Sequence, residues 1–193
     1  MQLDGRIIFC TGGCRSGKSA YALDAASAMP GSKVFIATME ARDAESLERV
    51  RRHQEERERL SGTLWQTVEI TVTGSLDLPG GLAAACASGD VVLLDCLSTW
   101  VSACLEVLRV NLPGLGYVQS EEMIVEVFSA ALGQLRSSGK SAVIVSSETG
   151  LGWVPADRES RLFRDALGRV NQLAAAEADE AFLLVSGLPL RLK

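Results

Sequence analysis

The segment 12-GGCRSGKS-19 fits G-x-x-x-x-G-K-[ST], and it stands directly after the apolar run 6-RIIFC-10 and before a helix-like stretch at about 18–28. Strand, glycine-rich turn and helix in that order predict a phosphate cradle at one edge of a parallel sheet. The residue types follow from the task. Glycines let successive backbone N–H groups turn inward around a phosphate, the helix N-terminus adds its partial positive charge, Lys18 adds a point charge, and Ser19 can ligate Mg²⁺. A glycine-rich turn with an incidental lysine is the bland alternative, and the flanking strand and helix weigh against it.

The remaining apolar segments extend this pattern. The runs 33-KVFIAT-38, 91-VVLLD-95, 141-SAVIVS-146 and 181-AFLLVS-186 are rich in Val, Ile, Leu and Phe without alternation, as strands covered on both faces are. Helix-like stretches separate them, at about 43–60, 97–108, 119–138 and 159–177. Alternating strands and helices predict an α/β fold, a mostly parallel sheet flanked by helices. The stretch 65-WQTVEITVT-73 alternates and reads as an edge strand, and Gly-Leu-Pro within 186-SGLPLRLK-193 points to a closing C-terminal hairpin. At 193 residues with 47% hydrophobic side chains, one domain over 1–193 is the expectation.

Charge narrows the partners. A net charge of −5 gives no footprint for wrapping nucleic acid or coating an anionic membrane. The most apolar window, 91–107, is interrupted by Asp95 and is too short to span a bilayer. Five cysteines without a C-x-x-C pair, beside a single histidine, read as reduced and mostly buried thiols of a cytoplasmic protein.

A P-loop needs an acidic partner for its metal, and Asp95 ends the strand 91–95 where a Walker-B carboxylate stands. An ordinary strand-end aspartate capping the helix that begins near Leu97 is the competing reading. On the 43–60 helix, Leu47, Val50 and Leu60 share one half of the surface. His53 projects between Val50 and Leu60, with Arg57 one turn further on. A histidine and an arginine four apart can share one phosphate; a boundary histidine without chemistry is the alternative.

Together the motifs 10-CTGGCRSGKS-19, 36-IAT-38, 49-RVRRHQEER-57, 92-VLLDCLSTW-100, 146-SSETGLGWVP-155, 162-LFRDALGRVNQ-172 and 185-VSGLPLRLK-193 resemble the bifunctional adenosylcobinamide kinase/adenosylcobinamide-phosphate guanylyltransferase family of cobalamin biosynthesis. The likeness covers nearly the whole chain, and the E-x-G-L-G-x-V-P and F-R-D-x-x-G-R-x-N-Q segments are its more specific parts. It implies a P-loop NTPase of RecA-like architecture, typically a homotrimer. Such an enzyme phosphorylates the aminopropanol hydroxyl of adenosylcobinamide with ATP or GTP, takes GMP from GTP onto a histidine, and passes it to the new phosphate to give adenosylcobinamide-GDP.

By this resemblance His53 carries GMP and Lys18 serves both steps, while Thr11, Gly12, Gly13, Cys14, Arg15, Ser16, Gly17, Lys18 and Ser19 grip phosphates. Ala37, Thr38 and Met39 touch nucleotide, and Gln54, Glu55, Glu56, Arg57, Glu69 and Asp95 fall on nucleotide-contacting positions. Ser19 and Asp95 would hold Mg²⁺. The chain departs from the family in having Glu58 after Arg57, Cys14 where alanine is usual and Ser147 where asparagine is usual. Two other readings compete: a small-molecule kinase without guanylyl transfer, and a nucleotide-dependent switch or assembly module.

Overall fold

Runs of β-branched and aliphatic residues that alternate nothing polar must be covered on both sides, and the chain meets this by stacking them side by side between helices. The structure, a computed structural model, describes residues 5–38, 51, 65–70 and 77–193. Its elements are β1 (Ile7–Gly12), α1 (Lys18–Ala28), β2 (Lys33–Ala37), β3 (Trp65–Glu69), α2 (Leu78–Ser88), β4 (Val91–Asp95), α3 (Leu97–Asn111), α4 (Tyr117–Ser138), β5 (Ser141–Val145), α5 (Arg158–Glu177), β6 (Glu180–Val185) and β7 (Leu188–Arg191). Among the described residues the strands form one sheet in the order β3-β2-β4-β5-β1-β6-β7. Every neighbouring pair is parallel except β6–β7. The expected mostly parallel sheet with a C-terminal hairpin is therefore present.

Two apolar clusters sandwich the sheet. On one face Ala22, Leu23 and Ala26 of α1 pack on Ile8, Cys10, Leu93, Val143 and Val145. On the other, α2 to α5 cover Ile7, Phe9, Ile36, Leu94 and Ile144. Trp100 of α3 and Phe128 of α4 anchor that second layer, with ring centroids 5.9 Å apart and both side chains fully buried. Burying each large apolar side chain contributes about 1.5–3 kcal/mol.

The helix α2 is not announced by its sequence. Leu78-Pro79-Gly80-Gly81 looks like a turn, yet Pro79 sits in the first helical positions, where its missing N–H costs nothing. Asp77 caps the end by accepting from the Gly80 N–H at 2.8 Å. A Cβ on Gly81 would lie 2.4 Å from Ile70 Cδ1, so glycine lets the helix close on the residue that follows β3. β3 itself stops at Glu69, short of the expected 73, with Ile70 still donating its N–H to the Ala37 carbonyl at 3.0 Å. The hairpin turn falls on Ser186 and Gly187, both at positive φ, rather than on Gly-Leu-Pro. That pair makes the I′ turn that suits two-residue hairpins, and Pro189 lies on the edge strand, where a missing donor is tolerated. All five cysteines are free, but only Cys10 and Cys104 are fully buried; Cys14 is exposed, against the expectation of mostly buried thiols.

The end of the sheet away from the phosphate loop is tied by charge. Asp179 accepts from the Ile7 N–H at 2.7 Å and from both terminal nitrogens of Arg136, at 3.0 and 3.1 Å, joining β1, α4 and the α5–β6 turn. The Arg136 guanidinium holds the Asp179 carboxyl below its ordinary range, against the opposing pull of partial burial. A carboxyl whose folded pKa is depressed contributes stability that is complete above its unfolded value, about 3.9, and is lost as pH falls from there through the folded value. The urea midpoint should therefore drop on acidification below about pH 4. Asp179→Asn should be less stable at pH 7 and show a shallower drop; parallel pH profiles for the two proteins would refute the assignment.

Candidate functional site

Parallel pairing sets the row on which the site is built. Glu69 is in register with Ala37, Ala37 with Asp95, Asp95 with Val145, and Val145 with Cys10. Chain direction is shared, so all five stand at the carboxyl end of the sheet, the edge where open α/β sheets bind ligands. β1 continues from Cys10 through Thr11 and Gly12 into the phosphate loop.

The loop is held from behind. The Gly187 N–H of the hairpin turn donates to the Ser16 carbonyl at 2.8 Å, and the Glu148 N–H beyond β5 donates to the Gly12 carbonyl at 3.0 Å. Gly17 has φ 92°, and a Cβ there would approach Gly187 Cα to 2.9 Å, so a side chain is excluded by conformation and by space. A Cβ on Gly12 would lie 2.6 Å from the Leu184 carbonyl oxygen. Arg15 takes φ 53° at the exposed crest of the loop, between Cys14, also exposed, and Ser16, which is buried. Gly17 caps α1 without any side-chain hydrogen bond and no acidic residue occupies the first turn, which leaves the helix N-terminus to an anion. Lys18 folds back over the loop, its Nζ donating to the Gly13 carbonyl at 3.0 Å. Ser19 follows it, half-buried in the same turn.

Asp95 ends β4 on the α1 side of the sheet. Val91 and Leu93, its alternate neighbours along the strand, belong to the α1 cluster, and period-2 alternation puts the carboxylate on that face. Burial pushes the Cys10 thiol up to about 12, and the nearby Asp95 charge adds to the rise. The N-cap of α3 is Cys96, so Asp95 stands one residue before the cap position. Glu69 is exposed at the end of β3 and Ala37 is half-buried beside it. Met39, His53, Gln54, Glu55, Glu56 and Arg57 lie outside the described residues. Of the expected 43–60 helix only Arg51 is described, helical and exposed.

Sequence reasoning missed a polar chain along the strand ends. Thr38 Oγ1 accepts from the Cys96 N–H at 3.0 Å, donates to the Cys96 carbonyl at 2.9 Å and lies 2.6 Å from Thr99 Oγ1. Cys96 Sγ lies 2.9 Å from Ser98 Oγ, which is 3.2 Å from Ser147 Oγ, and Asn171 Nδ2 donates to the Ser147 carbonyl at 3.0 Å. The only signal for it in the sequence is a hydroxyl or thiol just past each of three apolar runs. Thr11 Oγ1, Ser16 Oγ and Ser146 Oγ are buried without a hydrogen-bond partner, the state a phosphate oxygen or water relieves.

The site is thus a phosphate loop braced on two sides, with a carboxylate two strands away on the same face. Residues 8–192 match the family model described as cobinamide kinase / cobinamide phosphate guanyltransferase. The bifunctional adenosylcobalamin biosynthesis protein CobU of Salmonella typhimurium is 33% identical, over 97% of this chain and 99% of its own. The protein of the same name from Escherichia coli is 31% identical over 97% and 99%. The bifunctional adenosylcobalamin biosynthesis protein CobP of Pseudomonas aeruginosa is 30% identical over 94% of each chain. Among solved structures, the KaiC-like protein PH0186 of Pyrococcus horikoshii OT3 aligns with 93% of this chain and 71% of its own at TM-score 0.49 and 15% identity. A family match along nearly the whole length, together with relatives aligned end to end, places this chain in the cobinamide kinase / cobinamide phosphate guanyltransferase family.

Proposed function

We propose that this chain is a bifunctional enzyme that phosphorylates the aminopropanol hydroxyl of adenosylcobinamide and then joins GMP to the new phosphate. A braced phosphate loop, in a chain that belongs to this family over residues 8–192, carries the reading. The enzyme works in the cytoplasm as a homo-oligomer, as the family likeness implies.

In the first step the substrate hydroxyl oxygen attacks the γ-phosphorus of ATP or GTP, the bond to the bridging oxygen breaks, the nucleoside diphosphate leaves with the electron pair, and the hydroxyl proton is released to water. Little covalent chemistry falls to the protein, so positioning and charge compensation dominate. Backbone N–H groups of residues 12–19 orient the phosphates and the Lys18 ammonium offsets negative charge on them. Ser19 and Asp95 would hold Mg²⁺, a hydroxyl and a carboxylate suiting a hard cation that takes its other ligands from phosphate and water. Among the described residues no three His, Cys, Asp or Glu gather into an all-protein cage. When bound, the ion neutralises phosphate charge.

In the second step the neutral His53 imidazole attacks the α-phosphorus of GTP; a P–N bond forms and pyrophosphate departs. A phosphate oxygen of the phosphorylated substrate then attacks the same phosphorus, the P–N bond breaks, and the imidazole is released. Arg57, one turn from His53, would offset charge during both transfers.

Lys18→Ala should keep the fold and lose roughly two to three decades of rate in both half-reactions, for about 2–4 kcal/mol of transition-state contact. A near-normal rate in either would remove the loop from that step. Asp95→Asn, which keeps size and removes charge, should be slower and partly rescued by raised Mg²⁺; an unchanged metal dependence would free Asp95 of the metal role. Protein incubated with Mg²⁺ and GTP labelled at the α-phosphate should retain acid-labile, alkali-stable label through denaturation. His53→Asn should abolish that label and the guanylyl transfer while keeping phosphorylation of adenosylcobinamide, and equal labelling of mutant and parent would sink the histidine intermediate.

A further inference from the structure

Thr38 stands where two spaces meet. Its neighbour Ala37 is in register with Asp95 on the cradle's edge of the sheet. Thr38 itself, 3% exposed, forms part of the wall of a cleft of about 1060 Å³. The cleft is bounded by α3, residues 112–116 and the first turns of α4 and α5. These helices cover the sheet face opposite α1, so cradle and cleft lie on opposite faces and approach each other at the strand ends.

Size and charge say what the cleft takes. Pockets for drug-sized ligands reach about 1,000 Å³, so this one exceeds what a simple alcohol needs. Its charged lining residues cancel, Glu106 and Glu159 against Arg109 and Arg158. Arg109 is spent in a fork on Glu106, at 2.9 and 2.6 Å, and Arg158 lies 5.9 Å over the Tyr117 ring. A second triphosphate would find no surplus positive charge. The exposed Ser102 and Ser160, with Thr99 and Ser120 whose hydroxyls already donate to backbone carbonyls and keep only acceptor capacity, stand among Leu105, Leu162 and Phe163 and instead match a large, nearly uncharged molecule studded with amides on an apolar frame. Adenosylcobinamide has that chemistry, with carboxamide arms around a macrocycle.

We propose that this cleft binds the corrinoid acceptor, its macrocycle against α3 and α5 and its aminopropanol arm crossing the sheet edge beside Thr38 to reach the phosphate loop. The proposal rests on the activity proposed above. It lets both substrates be held at once from opposite faces, as direct transfer of a phosphoryl group requires. The same path brings the phosphorylated arm back to the cradle for the second step.

Ser102→Trp and Ser160→Trp each put an indole into the cleft from a different wall. Binding of adenosylcobinamide is read by equilibrium dialysis from the visible absorbance of the corrin, binding of GTP in parallel, and folding by thermal melting. Both variants should bind the corrinoid more weakly by about tenfold or more, and GTP within about twofold of the parent. Two walls are used so that a variant that does not fold leaves the other to decide. Parental corrinoid affinity in a folded variant would overturn the cleft assignment and leave the enzyme reading standing. Parent protein that binds no adenosylcobinamide, with or without GTP, would overturn both.

Discussion

The contact between Gly17 and Gly187 is the constraint around which the candidate site is arranged. Two glycines from opposite ends of the chain pack backbone to backbone, and the Gly187 N–H bonds to the Ser16 carbonyl at 2.8 Å. A phosphate loop turns most of its N–H groups inward, toward a ligand, and here only the Ser16 N–H is spent within the loop, on the Gly13 carbonyl at 3.3 Å. Support has to come from its carbonyls, and here the β6–β7 turn and the Glu148 N–H supply it. The antiparallel hairpin that closes the sheet therefore serves as a backstop for the cradle.

Parallel register does the rest of the positioning. Because β2, β4, β5 and β1 all run the same way, residues far apart in sequence arrive in one row, and Asp95 stands two strands from Cys10. Alternation then sorts the row's neighbours by face. Asp95 falls on the α1 side with the loop, and Thr38, one residue past Ala37, falls on the side of α3. The ion pairs that fasten the turns, Lys140 with Asp90 and Arg136 with Asp179, sit at the other end of the strands.

What was legible in the sequence was local. The P-loop, the apolar strands and the carboxylate ending β4 each announce themselves within a few residues, because strand burial and phosphate binding both demand a fixed residue pattern. α2 stayed hidden because its Pro79 and Gly81 are explained only by a helix start and by the approach of Ile70, one a matter of capping and the other of tertiary packing. The hairpin was legible and its turn was not, since Pro189 looks like part of a turn until the edge position of β7 is known. The chain of hydroxyls through Thr38, Thr99, Ser98 and Ser147 left only a faint trace, a hydroxyl or thiol just past three apolar runs, because strand register and the first turn of α3 assemble it from separate segments. The roles expected of His53 and its neighbours came from family likeness, and those residues lie outside the described ones.

That chain of hydroxyls has a property distinct from its role as scaffold. A hydroxyl both donates and accepts, and its hydrogen turns about the C–O bond without moving a heavy atom. Between Thr99 and Ser147 the links through Cys96 Sγ and Ser98 Oγ allow either atom to be the donor. Thr38 and Thr99 keep their hydrogens on the Cys96 carbonyl, while the links from Cys96 Sγ through Ser98 to Ser147 can exchange donor and acceptor by rotation alone. The strand ends thus join a fixed polar anchor, Thr38 and Thr99 on the Cys96 backbone, to a stretch whose hydrogens can reorient with the backbone beneath them unmoved.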